Sequence, residues 1–172
     1  MPSATLQEVL RSINDAVEEV EISFNEDLVR FRLGEVEIIS KIIDSSFLDY
    51  RRLIPKDNAI ELSLNRNELI RVVKLAALFA RTVAGSIVCE AKTPDTFSVR
   101  SIASELGEND SSISTKVAKD GKINLNSRFL LDALNVLNED ELTIGFNDNI
   151  SPVIIRNKNK DDYTYVALPL DS

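Results

Sequence analysis

The chain of 172 residues is long enough for one good hydrophobic core, and its 44% apolar and 28% charged residues are ordinary for a globular protein. A formal net charge of −8 argues against a protein that coats nucleic acid with its whole surface, but it is compatible with one basic face. The lack of histidine removes the commonest general base and the commonest zinc ligand. The single cysteine, Cys89, fits a reducing cytosol. We therefore expect a cytoplasmic protein with no membrane span, signal peptide, metal or cofactor.

The first fifty residues carry one helical pattern and three strand patterns. Thr5 and Glu8 have the spacing of a capping box, with Thr5 as the N-cap. Apolar residues at i, i+3, i+4 and i+7 then predict an amphipathic helix with the stripe Leu6, Val9, Leu10 and Ile13. Alternation of apolar and polar residues predicts strands over 20–24, 29–33 and 36–43.

The stretch 45–57 has neither a helical nor a strand period. Its large apolar side chains are Phe47, Tyr50, Leu53 and Ile54, which we expect to be buried. Pro55 disfavours helix at the residue before it. This stretch is therefore predicted to be an irregular connector between two folded parts.

The remaining chain repeats the pattern of the first part. A strand over 60–64 precedes a capping box from Asn65 to Glu68, which opens the longest helix, ending near Arg81. Three strands follow near 84–91, 95–104 and 110–118, the last two joined by an acidic turn over 105–110. A hairpin signal lies at 119–122. A short strand then leads to Asn126 as an N-cap, a third helical stripe (Leu130, Ala133, Leu134 and Leu137), and strands near 141–146, 151–156 and 163–168.

The three predicted helices begin near residues 5, 66 and 127, which are 61 residues apart, and three strands follow each of them. A fixed period of this kind indicates a repeated structural unit. One helix and three strands cannot bury both the helix stripe and the sheet face, whereas two such units together can. The predicted class is α+β, built of repeated helix-plus-three-strand half-domains with helices on one face of antiparallel sheets.

Four separated stretches carry recognisable motifs: residues 39–55, with Ile39-Ser40-Lys41-Ile42-Ile43-Asp44 and Phe47-x-Asp49-Tyr50-Arg51-Arg52-Leu53-Ile54-Pro55; residues 123–134; Ser151-Pro152-Val153-Ile154-Ile155-Arg156; and Tyr165-Val166-Ala167-Leu168-Pro169-Leu170. Together they closely resemble one family, the bacterial DNA sliding clamp, which is the beta subunit of DNA polymerase III. The resemblance covers nearly the whole chain.

The resemblance implies the DNA-clamp fold and a non-catalytic processivity function. In the family, two subunits of three domains form a ring homodimer around duplex DNA and bind short peptides of the polymerase and the clamp loader. Residues 1–50 would be the second half of the middle domain and residues 51–172 the third domain. The chain is accordingly expected to be a fragment of a clamp.

One basic helix face is a candidate for contact with DNA. No acidic residue occurs from Leu69 to Cys89, and Arg71, Lys74 and Arg81 lie within roughly 80° of arc on one helix. Cations in that position would attract phosphates without reading bases. Arg11 and Arg128 on the other helices are weaker candidates. The residues alone also fit an ordinary solvated basic face.

The family's peptide pocket supplies a second set of candidates. The matching positions are Leu48, Arg52, Leu53, Asn126, Phe129, Ile150, Pro152, Val166, Ala167, Leu168, Pro169 and Leu170. Leu48 stands where the family usually has proline, and Val166 and Leu168 also fit the core face of the last strand. Leu78 and Phe79 match the family's subunit interface, and interior helix packing is the alternative for both.

Other functions remain open on the residues alone. An interaction scaffold would keep peptide binding without encircling DNA. An enzyme would need carboxylates such as Asp44 and Asp49 around a metal, although no metal-ligand spacing accompanies them. The half-domain of residues 1–50 also predicts a dimer in which two copies of it pair with each other.

Overall fold

The computed structural model describes residues 1–46, 49–103, 107–160 and 162–170, with the side chain of Thr82 excepted. The chain divides into two compact units, Met1–Leu48 and Asp49–Ser172. Each unit has its own hydrophobic core. The two units are therefore described separately.

The N-terminal unit consists of one helix and a three-stranded antiparallel sheet. Its elements are α1 (Ser3–Ser12), β1 (Glu21–Phe24), β2 (Leu28–Leu33) and β3 (Val36–Lys41), and the strand order is β1-β2-β3. Alternate residues of β2, Val29, Phe31 and Leu33, point to one side and form a small core with Val9 of α1. The predicted helix and three strands are present, in the predicted order.

The predicted capping box of α1 is wrong. The N-cap is Pro2, three residues before Thr5, and the Thr5 backbone N–H already donates to the Pro2 carbonyl at 3.1 Å. The Thr5 hydroxyl instead lies 2.8 Å from the Ser40 hydroxyl of β3. Pro2 has extended backbone and makes no side-chain cap, so no capping box forms at the start of α1.

The C-terminal unit contains two helices and eight strands among its described residues. They are β4 (Ile60–Asn65), α2 (Arg66–Ala80), β5 (Ser86–Lys92), β6 (Thr96–Ala103), β7 (Gly107–Ser114), β8 (Gly121–Asn126), α3 (Ser127–Val136), β9 (Glu141–Phe146), β10 (Val153–Asn157) and β11 (Thr164–Ala167). Short 3-10 turns lie at Tyr50–Arg52 and Arg81–Val83. Three strands follow each helix, as the repeat predicts.

Two modules of the C-terminal unit exchange strands. The sheet orders are β7-β6-β5-β8 and β11-β10-β9-β4, and all pairs are antiparallel. The strand before each helix therefore joins the sheet of the other module: β4 pairs with β9, and β8 pairs with β5. This exchange, together with the contact of α2 with α3, makes the two modules one folded unit.

Two turn predictions in this unit are wrong. The segment 119–122 forms no hairpin between β7 and β8, because these strands lie at opposite edges of the same sheet. The acidic stretch 105–110 is not simply a turn, because β7 begins at Gly107 and its Asp110 pairs with Arg100 of β6. Residues 104–106 lie outside the described part.

The core of the C-terminal unit is formed by the two helix stripes and the inward faces of both sheets. Leu69, Val72, Val73 and Ala76 of α2 and Leu130, Ala133, Leu134 and Leu137 at α3 are all buried. The α+β class and the repeated helix-plus-three-strand modules are confirmed. None of the helices in the described part of the chain is long and apolar enough to cross a membrane.

The connector differs from its prediction in one residue. Leu53 and Ile54 are partly buried, but Tyr50 is half exposed, with the Arg51 guanidinium carbon 5.9 Å from its ring centroid. Phe47 lies outside the described residues. The 3-10 turn at Tyr50–Arg52 is the regular structure that the sequence pattern did not indicate.

Candidate functional site: a cationic helix face and an apolar concavity

The outer face of α2 carries the predicted cations. Leu69, Val72 and Val73 direct the other side of the helix into the core, so Arg71 and Lys74 are left exposed. Arg81 follows the end of the helix in the 3-10 turn and is also exposed. No acidic residue lies between Leu69 and Cys89, so no carboxylate follows these cations in α2 or in the turn after it.

An acidic residue does adjoin this face at the start of α2. The Asn65 side chain caps the helix by accepting a hydrogen bond from the Glu68 backbone N–H at 3.1 Å. This places the Glu68 carboxylate in the first turn, where it suits the helix dipole, and 3.7 Å from the Arg71 guanidinium. The capping box was predicted, but its pairing with Arg71 was not.

The two weaker DNA candidates are exposed as well. Arg11 on α1 pairs with Glu8 at 3.4 Å, and both side chains are largely in solvent. Arg128 lies in the first turn of α3 with its side chain exposed, and its backbone N–H donates to the Asn126 side chain. Both cations are therefore accessible to an anionic partner.

A shallow apolar concavity brings together four of the predicted pocket residues. Asn126, Phe129, Ala167 and Leu168 line it together with three core residues that the sequence analysis did not assign to the pocket: Leu125, Leu130 and Ile155. Phe129 and Leu168 are exposed, whereas the three core residues form a buried floor. The floor residues lie on the buried sides of β8, α3 and β10 like other core residues, so their sequence pattern does not mark them as pocket residues.

The concavity is nearly closed, with room for about 10 Å³. That volume corresponds to one water molecule at most. An incoming aliphatic side chain would therefore need the exposed Phe129 or Leu168 side chain to swing aside. Exposed side chains change rotamer readily, since no close-packed neighbours hold them.

The Asn126 side chain makes two hydrogen bonds that hold this part of the fold together. Its Oδ1 accepts from the Arg128 backbone N–H at 2.9 Å and caps α3, and its Nδ2 donates to the Ala84 carbonyl at 3.0 Å. The amide also lies against Gly85, where an added Cβ would be 3.2 Å from Nδ2, and the Ser127 N–H donates to the Gly85 carbonyl. Asn126 thus joins the start of α3 to the turn after α2, and it retains one N–H and one oxygen lone pair for a ligand.

The other predicted pocket residues have varied environments. Arg52 is exposed and pairs with Asp49 at 3.1 Å, Leu53 is partly buried, and Ile150 is exposed in the loop before β10. The remaining positions are partly buried: Pro152, Val166, Pro169 and Leu170. The Leu170 N–H donates to the Asn124 carbonyl at 2.9 Å, which anchors the residues after β11 to β8. Leu48 lies outside the described residues.

The two predicted interface residues differ in exposure. Leu78 is exposed on α2, as is its neighbour Leu75, whereas Phe79 is half-buried. Interior packing, the alternative for Leu78, is therefore wrong. An exposed leucine pair on a helix end is suited to contact with another apolar surface.

A wider concavity of about 450 Å³ lies elsewhere, between β8 and the loop after β9. Its two carboxylates are engaged in turns: Asp120 accepts from the Thr93 N–H, and Asp148 accepts from the Ile150 and Ser151 N–H groups. These backbone hydrogen bonds lower the pKa of both carboxyl groups. The groups therefore serve the fold, and their charge needs no ligand to explain it.

The carboxylates considered for a metal site show no such arrangement. The Asp49 carboxylate is paired with Arg52. Within residues 1–46, 49–103, 107–160 and 162–170, no group of three or more acidic or cysteine side chains is placed to hold a metal ion. The catalytic hypothesis thus finds no geometry that supports it in this part of the chain.

Paired helix-plus-three-strand modules that exchange one strand each, with both helices packed together, define the DNA-clamp fold. Comparison with solved structures agrees. The sliding clamp of Bacillus subtilis matches all of this chain with a TM-score of 0.80 and 26% identity. The sliding clamp of Bartonella birtlesii bound to griselimycin matches it with a TM-score of 0.82 and 25% identity.

The family model of the DNA polymerase III beta subunit, C-terminal domain, matches residues 51–171, and the chain belongs to this family. The beta sliding clamp of Staphylococcus aureus is 27% identical over 99% of this chain, and that of Staphylococcus epidermidis is 26% identical. The chain spans about half the length of these relatives, 46% in each case.

Proposed function

We propose that this chain is the C-terminal part of a sliding-clamp processivity factor, with residues 1–50 as the second half of the middle domain and residues 51–172 as the third domain. Its work is non-catalytic: it helps to tether a DNA polymerase to duplex DNA in the cytoplasm. The observation that carries the proposal is the exposed cationic face of α2 in a family member whose overall charge is −8.

The first part of the proposal concerns DNA. Arg71 and Lys74 are held on the side of α2 opposite its buried stripe, so they reach phosphates without disturbing the core. Contacts to phosphate alone give sequence-independent, salt-sensitive binding that permits sliding. Arg81, Arg11 and Arg128 are proposed as further phosphate contacts. In the complete ring homodimer, enclosure of the duplex would make up for this weak affinity.

A titration of fluorescent duplex DNA tests this part. The wild-type chain should bind with a Kd of about 10⁻⁴–10⁻⁶ M at physiological salt, and more tightly at low salt, independently of sequence. The double variant Arg71→Glu/Lys74→Glu should lose this affinity. Lys116→Glu/Lys119→Glu is the matched control, because it makes the same charge change at exposed lysines outside the helix and should retain most of the binding. Equal losses in both variants would reject the proposed face.

The second part concerns peptide partners. The concavity at Phe129 and Leu168 has an apolar floor and one amide, Asn126, with hydrogen-bonding capacity left. The related Bartonella birtlesii clamp has been crystallised bound to griselimycin, so a protein of this fold accepts a ligand. We propose that the concavity opens to take Leu or Phe anchors of short linear peptides from the polymerase catalytic subunit and the clamp loader. The further pocket positions given above would form its surroundings.

A peptide titration distinguishes binding in the concavity from non-specific adhesion to the protein surface. A short peptide with adjacent Leu and Phe anchors should bind the wild-type chain, and Leu168→Glu should weaken it by about tenfold or more by charging the rim. Val136→Glu, an equally exposed apolar position of α3 outside the concavity, should bind normally. Peptide binding without any DNA affinity would favour the interaction scaffold over the clamp.

The third part of the proposal concerns the subunit interface and involves the exposed Leu78 and the half-buried Phe79. They are assigned to the subunit interface of the full ring, where an apolar surface of a neighbouring subunit would cover them. In the ring, Leu78→Glu should impair closure while leaving the peptide concavity unchanged. Native mass spectrometry of a full-length clamp carrying this substitution would reveal the loss of the ring dimer.

A further inference from the structure

Four of the proposed pocket residues lie on two segments outside the apolar concavity. Arg52 and Leu53 belong to the connector before β4, and Ile150 and Pro152 belong to the loop before β10. None of the four is among the residues that line the concavity. Neither segment is part of a sheet, so a different interaction has to fix their positions for a ligand.

The Asn147 side chain makes two hydrogen bonds to the end of the connector. Its Oδ1 accepts from the Ala59 backbone N–H at 2.6 Å, and its Nδ2 donates to the Asp57 carbonyl at 3.2 Å. In the described part of the chain, no other hydrogen bond joins the backbone of residues 53–59 to the rest of the C-terminal unit. The attachment of this segment by hydrogen bonds therefore depends on one side chain.

A glycine lets the same segment lie close to β9. The Asn58 side chain packs over Gly145, where an added Cβ would be 2.3 Å from Asn58 Nδ2 and 2.5 Å from its Cγ. Those distances are too short for real atoms, so any side chain at position 145 would displace Asn58. Close packing at Gly145 thus supports the attachment made by Asn147.

Asn147 also begins the turn that presents Ile150. The carboxylate of Asp148, the next residue, accepts from the backbone N–H groups of Ile150 at 2.9 Å and Ser151 at 2.6 Å. These two bonds fix the course of the loop from Asn147 to Ser151. The connector is therefore hydrogen-bonded to a defined turn, not to a free loop.

The other module holds the equivalent segment in a different way. The segment before β8 is attached to the loop after β5 by two backbone hydrogen bonds, from the Thr115 N–H to the Asp95 carbonyl and from the Val117 N–H to the Pro94 carbonyl. No side-chain substitution removes bonds of that kind. The described part of the segment before β4 has no such backbone bond, so a change at Asn147 alone would release it.

We infer that Asn147 is a positioning residue of the peptide pocket: its side chain holds the connector that carries Arg52 and Leu53 against the loop that carries Ile150. This inference rests on the proposed peptide binding and adds a residue outside the pocket positions that the family resemblance supplied. A connector that is fixed before the peptide arrives loses less conformational freedom on binding, so the affinity is higher.

A peptide titration of Asn147→Ala tests the inference. With the peptide that carries adjacent Leu and Phe anchors, this variant should bind about three- to tenfold more weakly than the wild type, because both hydrogen bonds to the connector are lost. Asn149→Ala is the matched control, since it changes an exposed asparagine two residues further along the same loop and should bind normally. Asn65→Ala removes a helix cap instead, so it lowers stability without touching the connector and should also bind normally.

A double-mutant cycle shows whether Asn147 acts through the connector. Leu53→Ala should itself weaken peptide binding, because it shortens the connector side chain assigned to the pocket. In the Leu53→Ala background, the further substitution Asn147→Ala should then change the affinity by less than about twofold, because the contact that Asn147 positions is already lost. Fully additive losses would overturn the inference.

Hydrogen exchange of the Ala59 amide gives a readout that needs no ligand. Its N–H is bonded to Asn147 Oδ1, so it should exchange about tenfold faster or more in Asn147→Ala, whereas the amides of β9 should be unaffected. An Ala59 amide that exchanges equally fast in both proteins would overturn the inference.

The titration also separates this inference from the proposed function. If the wild type binds the peptide and Asn147→Ala binds it equally well, or if Asn65→Ala loses as much affinity, the inference fails and the proposed function stands. A wild-type chain that binds no peptide would overturn both.

Discussion

Asn126 provides the sharpest stability prediction, because its side chain makes two separate hydrogen bonds. The cap to the Arg128 N–H is worth about 1 kcal/mol. The bond from Nδ2 to the Ala84 carbonyl adds about 1 kcal/mol, since it joins two segments 42 residues apart. Asn126→Ala should therefore lower the free energy of unfolding by about 2 kcal/mol.

Asn65 is the matched control for this prediction. It caps α2 through the same kind of bond, to the Glu68 N–H, so Asn65→Ala should cost only the cap, about 1 kcal/mol. Urea unfolding followed by far-UV circular dichroism measures both variants against the wild type. Equal losses, or a larger loss for Asn65→Ala, would refute the argument that Asn126 also ties the turn after α2 to the start of α3.

Two further predictions concern the charge of Glu68 and the burial of Cys89. Glu68→Gln should raise the affinity for duplex DNA by a factor of about two to five, because it releases Arg71 from an exposed ion pair. A fluorescence titration would measure this affinity, and an unchanged value would contradict a role for Arg71. Burial raises the pKa of the Cys89 thiol to about 12, so the thiol should react with a thiol reagent at pH 8 only after unfolding. Rapid labelling of the native chain would contradict this expectation.

Local patterns in the sequence predicted the elements well. Stripes such as Leu130, Ala133, Leu134 and Leu137 depend only on helical periodicity, and all four are buried. The caps at Asn65 and Asn126 were also predicted and are confirmed, because the interaction lies within three residues. The strand over 141–146 has the bounds that alternation indicated.

Long-range pairing was beyond the reach of such patterns. Alternation in β8 shows which of its faces is buried but not that its partner is β5, since many strands would accept the same apolar face. The hairpin predicted at 119–122 is wrong for this reason. Thr5 was misassigned because a threonine suits a cap and a hydroxyl contact equally, and only the fold brings Ser40 beside it.

In the candidate sites as well, local patterns were predictable and long-range contacts were not. Exposure of Arg71 and Lys74 followed from the buried stripe of α2, so the cationic face could be predicted from periodicity. The convergence of Phe129 with Leu168 on one concavity depends on where β11 lies against α3, and it rested on the family resemblance alone. The floor residue Ile155 was not assigned to the pocket, because a core residue beneath a pocket has the same sequence pattern as any other core residue.

The dependence of duplex DNA affinity on salt concentration tests the central claim most directly. A plot of log Kobs against log salt should have a slope for the wild-type chain that is steeper by about two than the slope for Arg71→Glu/Lys74→Glu, because two phosphate contacts are removed. Identical slopes for the two proteins, or binding that does not respond to salt, would contradict the assignment of the α2 face to DNA.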